Sequence, residues 1–139
     1  MEITLETVST TDLTAILDDA KISYEIGDDE DIRLMTDYHF YIKIDKRHDA
    51  IRFFGWMKPE ENNGEELIKA INMLNTGSNT VKYSSIINDE VFFEYGILLS
   101  GKIDSSHFLK TLEHIKEKAS VLTLVINMII KNQKKRNEK

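Results

Sequence analysis

Tyr38-His39-Phe40-Tyr41-Ile42-Lys43-Ile44-Asp45 and, after a polar turn, Ile51-Arg52-Phe53-Phe54-Gly55-Trp56-Met57 decide the fold class of this chain. In the first run Tyr38, Phe40, Ile42 and Ile44 alternate with His39, Tyr41, Lys43 and Asp45. In the second, Ile51, Phe53 and Met57 alternate with Arg52, Phe54 and Trp56. A period of two sends successive side chains to opposite faces of an extended chain, and aromatic and β-branched residues favour that state. The short polar link between the runs predicts an antiparallel hairpin. Pro59, the only proline, ends the sheet segment.

The same reading extends in both directions. Upstream, Ile32, Leu34 and Thr36 alternate with Arg33 and Met35, Gly27-Asp28-Asp29-Glu30 reads as a turn, and Ile22 to Ile26 as a short strand. Before that, Ser9-x-x-Asp12 is a capping box, and Leu13, Ile16, Leu17 and Ala20 keep helical spacing to about Lys21. Downstream, Asn63-Gly64-Glu65-Glu66 opens a second helix with the stripe Leu67, Ile71, Leu74 and a stop at Gly77. Val81, Tyr83, Ser85 and Ile87 form one alternating set. Val91, Phe93, Tyr95, Ile97 and Leu99 form another, with Asn88-Asp89 as the turn between them. Asp104 caps a last helix, in which Phe108, Leu112, Ile115, Ala119, Leu122, Ile126 and Ile129 step by four and three. The expected fold is α+β: helix, antiparallel strands, helix, β-hairpin, long C-terminal helix. We expect one domain over residues 1–130 and a basic, frayed tail over 131–139.

Composition narrows the function classes. Cysteine is absent, which excludes disulfides and thiolate metal sites. The first residues are acidic where a signal peptide needs a basic segment, and the longest apolar stretch, Val121 to Ile130, is too short to cross a bilayer. The expectation is a cytoplasmic protein without membrane attachment. Net charge is −6, and residues 131–139 hold Lys131, Lys134, Lys135, Arg136 and Lys139 against the single acid Glu138. The remaining body is therefore more acidic still, which argues against nucleic-acid phosphates as the main ligand. The basic tail could touch nucleic acid or anionic lipid; the favoured reading is a frayed, solubilising helix end.

From about Leu67 to Leu112 the chain resembles the YbjN family, whose fold is similar to that of type III secretion chaperones. The likeness is carried by the pairs Ile71-Asn72 and Leu74-Asn75, the strands Thr80 to Ile86 and Val91 to Leu99, Gly101, and a helix beginning near Ser105. It implies a twisted antiparallel sheet, a homodimer, and a non-enzymatic role as chaperone or regulator. It supplies no catalytic motif, so no functional residue is carried over.

The candidates for chemistry weaken on inspection. Gly96 to Ile103 nearly has the spacing of a phosphate-binding loop, but Ile103 stands where Ser or Thr must hold magnesium, and Ile97-Leu98-Leu99 looks like strand. Gly101 then reads as the turn into the last helix. His39, His48, His107 and His114 form no ligand cluster, and His107 and His114 are two helical turns apart. Asp28 to Asp31 lacks the length and central glycine of a calcium loop. No serine lies in a nucleophile elbow. Asn72 and Asn75 could bind a ligand or, the favoured reading, satisfy backbone groups of a neighbouring strand. Neither metal nor cofactor is expected.

One constellation stands out. If Tyr38, Phe40, Ile51, Phe53, Val91 and Phe93 face the helices, the opposite face holds Met35, Tyr41, Phe54, Trp56, Phe92 and Leu98. That is too apolar for a bare surface. It could receive a partner protein segment or pack in a dimer. Alternatively the N-terminal segment could cover it, since Ile3, Leu5 and Val8 alternate. The expected function is a non-enzymatic protein-binding module. The alternative is a small ligand-binding domain or enzyme with a pocket between the sheet and the last helix. Leu109, Val121, Leu124, Val125, Met128 and Ile130, added to the helical seam, exceed what one thin sheet can cover, which favours a homodimer.

Overall fold

The alternating runs close into one antiparallel sheet. The computed structural model describes residues 1–59, 64–78, 80–85 and 90–137. Six strands are hydrogen-bonded in the order β2-β3-β4-β5-β7-β6. They are β2 (Tyr24–Ile26), β3 (Ile32–Leu34), β4 (His39–Asp45), β5 (Ala50–Met57), β6 (Lys82–Ser85) and β7 (Val91–Leu98). The central strands β4 and β5 are the predicted hairpin, in register from His39↔Trp56 to Asp45↔Ala50. The turn between them closes with Asp49 at a φ of 55°. The expected turn at Asn88-Asp89 lies outside the described residues.

Among the described residues three α-helices accompany the sheet: α1 (Thr10–Asp19), α2 (Gly64–Gly77) and α3 (Ser105–Asn137). The capping box forms at α1: the Ser9 hydroxyl accepts from the Asp12 N–H, and the Asp12 carboxylate accepts from the Ser9 N–H. Asp104 caps α3 by accepting hydrogen bonds from the Ser106 N–H and hydroxyl. Helix α2 carries the chain from β5 past the position of β7 to β6, so β7 returns between them and pairs with both.

The core lies between the inner face of the sheet and the helices. Phe40, Ile51, Phe53, Val91 and Phe93 are buried there as expected, and Tyr38 reaches the Lys116 carbonyl of α3 with its hydroxyl. Phe40, Phe53, Phe93 and Phe108 fill the space between sheet and α3, with ring centroids 5.5 Å apart for Phe40–Phe93 and Phe53–Phe108. Along α3 the buried positions run Phe108, Leu112, Ile115, Ala119, Leu122, Ile126, then Ile130 rather than the expected Ile129. A straight helix has 3.6 residues per turn, so a seam spaced at 3.5 drifts off by its last turn.

The N-terminal segment goes elsewhere than the covering reading supposed. Ile3, Leu5 and Val8 are buried in the common core. A further strand, β1 (Glu2–Thr4), pairs antiparallel with β8 (Lys102–Asp104), with Ile3 opposite Ile103. Gly101, at a φ of 77°, therefore turns the chain into β8 rather than directly into the last helix. Its N–H donates to the Glu6 carboxylate.

Candidate protein-binding face of the sheet

Strand pairing fixes which side chains share the outer face. Cross-strand partners point to the same side, and the register pairs Tyr41 with Phe54, and Trp56 with both His39 and Phe92. The rings stack in sequence. His39 lies on Trp56 at 4.6 Å, Trp56 beside Tyr41 at 5.5 Å, and Tyr41 on Phe54 at 5.5 Å. Phe54 in turn meets Phe92 at 6.3 Å, and the Arg52 guanidinium sits 5.1 Å above the Phe54 ring. Tyr41, Phe54, Trp56 and Phe92 are each half-buried, largely against one another. Such offset stacks hold their rings in place without a covering layer.

The structure stacks four of the six expected residues together and sets Leu98 apart from them. Met35 lies just beyond β3 and is 57% exposed. Leu98, 62% exposed, stands at the far end of β7 opposite Ala50. Six residues along a strand from Phe92 place it about 20 Å away. Glu94 and Gly96 occupy the same side between them. Leu98 is thus an isolated exposed residue, not part of the aromatic patch. Conversely, His39 and Arg52 belong to the patch and were missed. Their signal was present: each stands two positions before an expected member, Tyr41 and Phe54, and so shares its face.

Past Arg52 the same face turns polar. Arg52 bridges Asp45 at 3.4 Å and Glu94 at 3.1 Å, and His48 contacts Asp45 at 2.7 Å. The His48 imidazole and backbone N–H hold the Asp45 carboxyl below the usual range. His48, Arg52 and Glu94, with Ala50 and Lys82, rim a depression of about 570 Å³. Their charges are matched to one another.

The sheet edge at β6 is closed by a side chain. The Asn75 amide donates to the Tyr83 carbonyl at 2.7 Å and accepts from the Tyr83 N–H at 2.8 Å, so it stands where a further strand would bind. This is the expected role for Asn75. Asn72 is exposed. Among the described residues no three metal-ligating side chains cluster, and no helix is long and apolar enough to cross a membrane.

The comparisons with known proteins agree with this architecture. The profile of the YbjN family, described as "putative bacterial sensory transduction regulator", matches residues 9–120. No curated protein sequence matches the chain. Among solved structures, "YbjN, a putative transcription regulator from E. coli" superposes with a TM-score of 0.71 at 18% identity, covering 91% of this chain and 94% of that one. The HopA1–SchA chaperone–effector complex gives 0.58 at 8% identity, with 76% of this chain and 84% of the other covered. The Yersinia pestis type III secretion chaperone SycH, in complex with a stable fragment of YscM2, gives 0.57 at 11% identity, covering 82% and 99%. The fold is that of the secretion chaperones. By its sequence match, the chain is a member of the YbjN family.

Proposed function

We propose that this protein is a homodimeric, non-enzymatic binding module, chaperone-like or regulatory, that takes up a segment of a partner protein on the outer face of its sheet. The observation that carries the reading is the stacked, half-exposed series His39, Trp56, Tyr41, Phe54 and Phe92. Aromatic rings already fixed by stacking lose little freedom on binding, which makes them effective anchors. The likeness in fold to SycH and SchA, whose structures are of complexes with bound proteins, supports the class of function without supplying a partner. Asn75 occupies the β6 edge, so uptake would proceed by burial of apolar side chains across the face rather than by strand addition there. The alternative of a pocket enzyme is less favoured, because the Phe40–Phe93 and Phe53–Phe108 contacts fill the centre of the space between sheet and α3; the depression of about 400 Å³ at its margin lies between Tyr38, Trp56, Ala119 and Thr123.

The test is a selection of displayed random peptides on the protein, run in parallel on a Trp56→Ala, Phe54→Ala double variant. We expect the wild type to enrich extended segments with spaced apolar residues, and Trp56 emission to shift blue when they bind. The reading fails if nothing is enriched, or if the variant binds the same peptides equally well.

A further inference from the structure

The outward face of α3 carries a charge pattern that matches its own reversal. Glu113, Glu117, Val121, Leu124, Met128, Lys131 and Lys135 follow one another in steps of three and four, so they share one narrow stripe. All seven are exposed, and the stripe lies opposite the buried seam of the helix. Val121 is 46%, Leu124 64% and Met128 56% exposed, large values for three neighbouring apolar side chains. Two acids stand at one end and two bases at the other. Glu117 and Lys131 lie seven residues before and after Leu124, and Glu113 and Lys135 eleven before and after. A two-fold axis through Leu124 would therefore set Glu117 against Lys131 of a second copy, and Glu113 against its Lys135.

Within a single chain two spacings of the pattern are unfavourable. Glu113–Glu117 and Lys131–Lys135 are like-charge pairs four residues apart on a helix. None of the four forms an ion pair among the described residues. Lys110 continues the stripe at its acidic end, and its counterpart, residue 138, lies outside the described residues. On the side toward α2 the stripe opens into a groove of about 520 Å³ of mixed lining, in which Met73, Leu74, Val121 and Val125 supply apolar surface beside Thr80, His114 and Lys118. A partner helix lying along α3 would have apolar surface to bury beside the stripe as well as on it.

We infer that two copies of this chain associate through α3, antiparallel, with Leu124 at the axis and Glu113 and Glu117 of each copy paired with Lys135 and Lys131 of the other. Self-complementarity of this kind is what a two-fold interface requires of one surface. The inference rests on the homodimer reading above and adds the surface. It leaves the aromatic face of the sheet free for a partner.

The test exchanges charges in the full chain. Glu113→Lys with Glu117→Lys makes the stripe wholly basic at its ends; Lys131→Glu with Lys135→Glu makes it wholly acidic. Each double variant should show a dimer dissociation constant raised roughly tenfold or more in sedimentation or light scattering. A one-to-one mixture of the two should associate again, as should the chain with all four exchanges. Leu124→Lys should be monomeric, and circular dichroism should show the helix retained in each case. Double variants that dimerise like the wild type, or a mixture that stays monomeric, would overturn the assignment to α3 while leaving a homodimer standing. A monomeric wild type at tens of micromolar, on the order of the concentrations where weak interfaces form, would sink both.

Discussion

A methyl group at Gly55 would collide with the His39 carbonyl oxygen and meet the Phe93 ring at 2.6 Å. Gly55 lies on the inner face between Phe40 and Phe93, and its missing side chain is what lets the Phe93 ring lie across β5. Gly55→Ala should therefore force β4 and β5 apart or displace Phe93, at a cost of about 1–3 kcal/mol in a urea denaturation curve. Because His39 also stacks on Trp56, the variant should leave Trp56 more open to acrylamide quenching. Trp56→Ala acts on the other side of the sheet. It removes cross-strand stacking and should lower stability by only about 1–2 kcal/mol. Loss of partner binding should be larger in consequence, about 2 kcal/mol or more by titration calorimetry with a selected peptide. Asp104 provides a pH readout. Hydrogen bonds from Ser106 and from the Met1 amino group hold its carboxyl at about 2, against an ordinary value of 3.8. The capping contribution is thus fully present above the ordinary value and is lost as pH falls through about 2. The Ser106 amide resonance should titrate with that low midpoint, and a midpoint near 4, typical of a free carboxylate, would show that the cap does not form.

At the scale of elements, Asn75 links α2 to the edge of the sheet. Asn75→Ala would strip Tyr83 of both backbone partners, costing about 1–3 kcal/mol. Exchange of the Tyr83 amide with solvent should speed up, and the variant should aggregate more readily, because an unguarded edge strand is a template for further pairing. Unchanged exchange at Tyr83 would refute the guarding role. The elements differ in how far the sequence disclosed them. Strands β4, β5 and β7 were legible because seven or eight residues of alternation leave no other reading, and α1 because Ser9 and Asp12 mark its start. Strands β1 and β8 were not. Three residues give too little alternation, and their partnership joins Ile3 to Ile103, which no local pattern announces. The outer face was legible as a set of parities but not as a patch. Parity says that Leu98 and Phe92 point the same way and says nothing of the distance between them, whereas the register does. The same parity would have admitted His39 and Arg52, which are polar by type and were passed over for that reason.

For the whole molecule, the aromatic face of the sheet and the outward stripe of α3 are distinct surfaces on different elements. A dimer formed on α3 would therefore present two receiving faces, and peptide binding should follow a stoichiometry of one segment per chain. Calorimetry on the wild type and on a monomeric Leu124→Lys variant should give the same number of sites per chain, with the monomer losing any gain from divalent engagement of a tethered pair of segments. The β1–β8 pairing has a consequence of another kind. Strand β1 is synthesised about a hundred residues ahead of its mate, on the order of 5–20 s of elongation. Until then Ile3, Leu5 and Val8 have no seat in the core. Through that interval the nascent chain carries an apolar segment waiting for its mate. Docking of β1 is a late event that fastens it beside the start of α3.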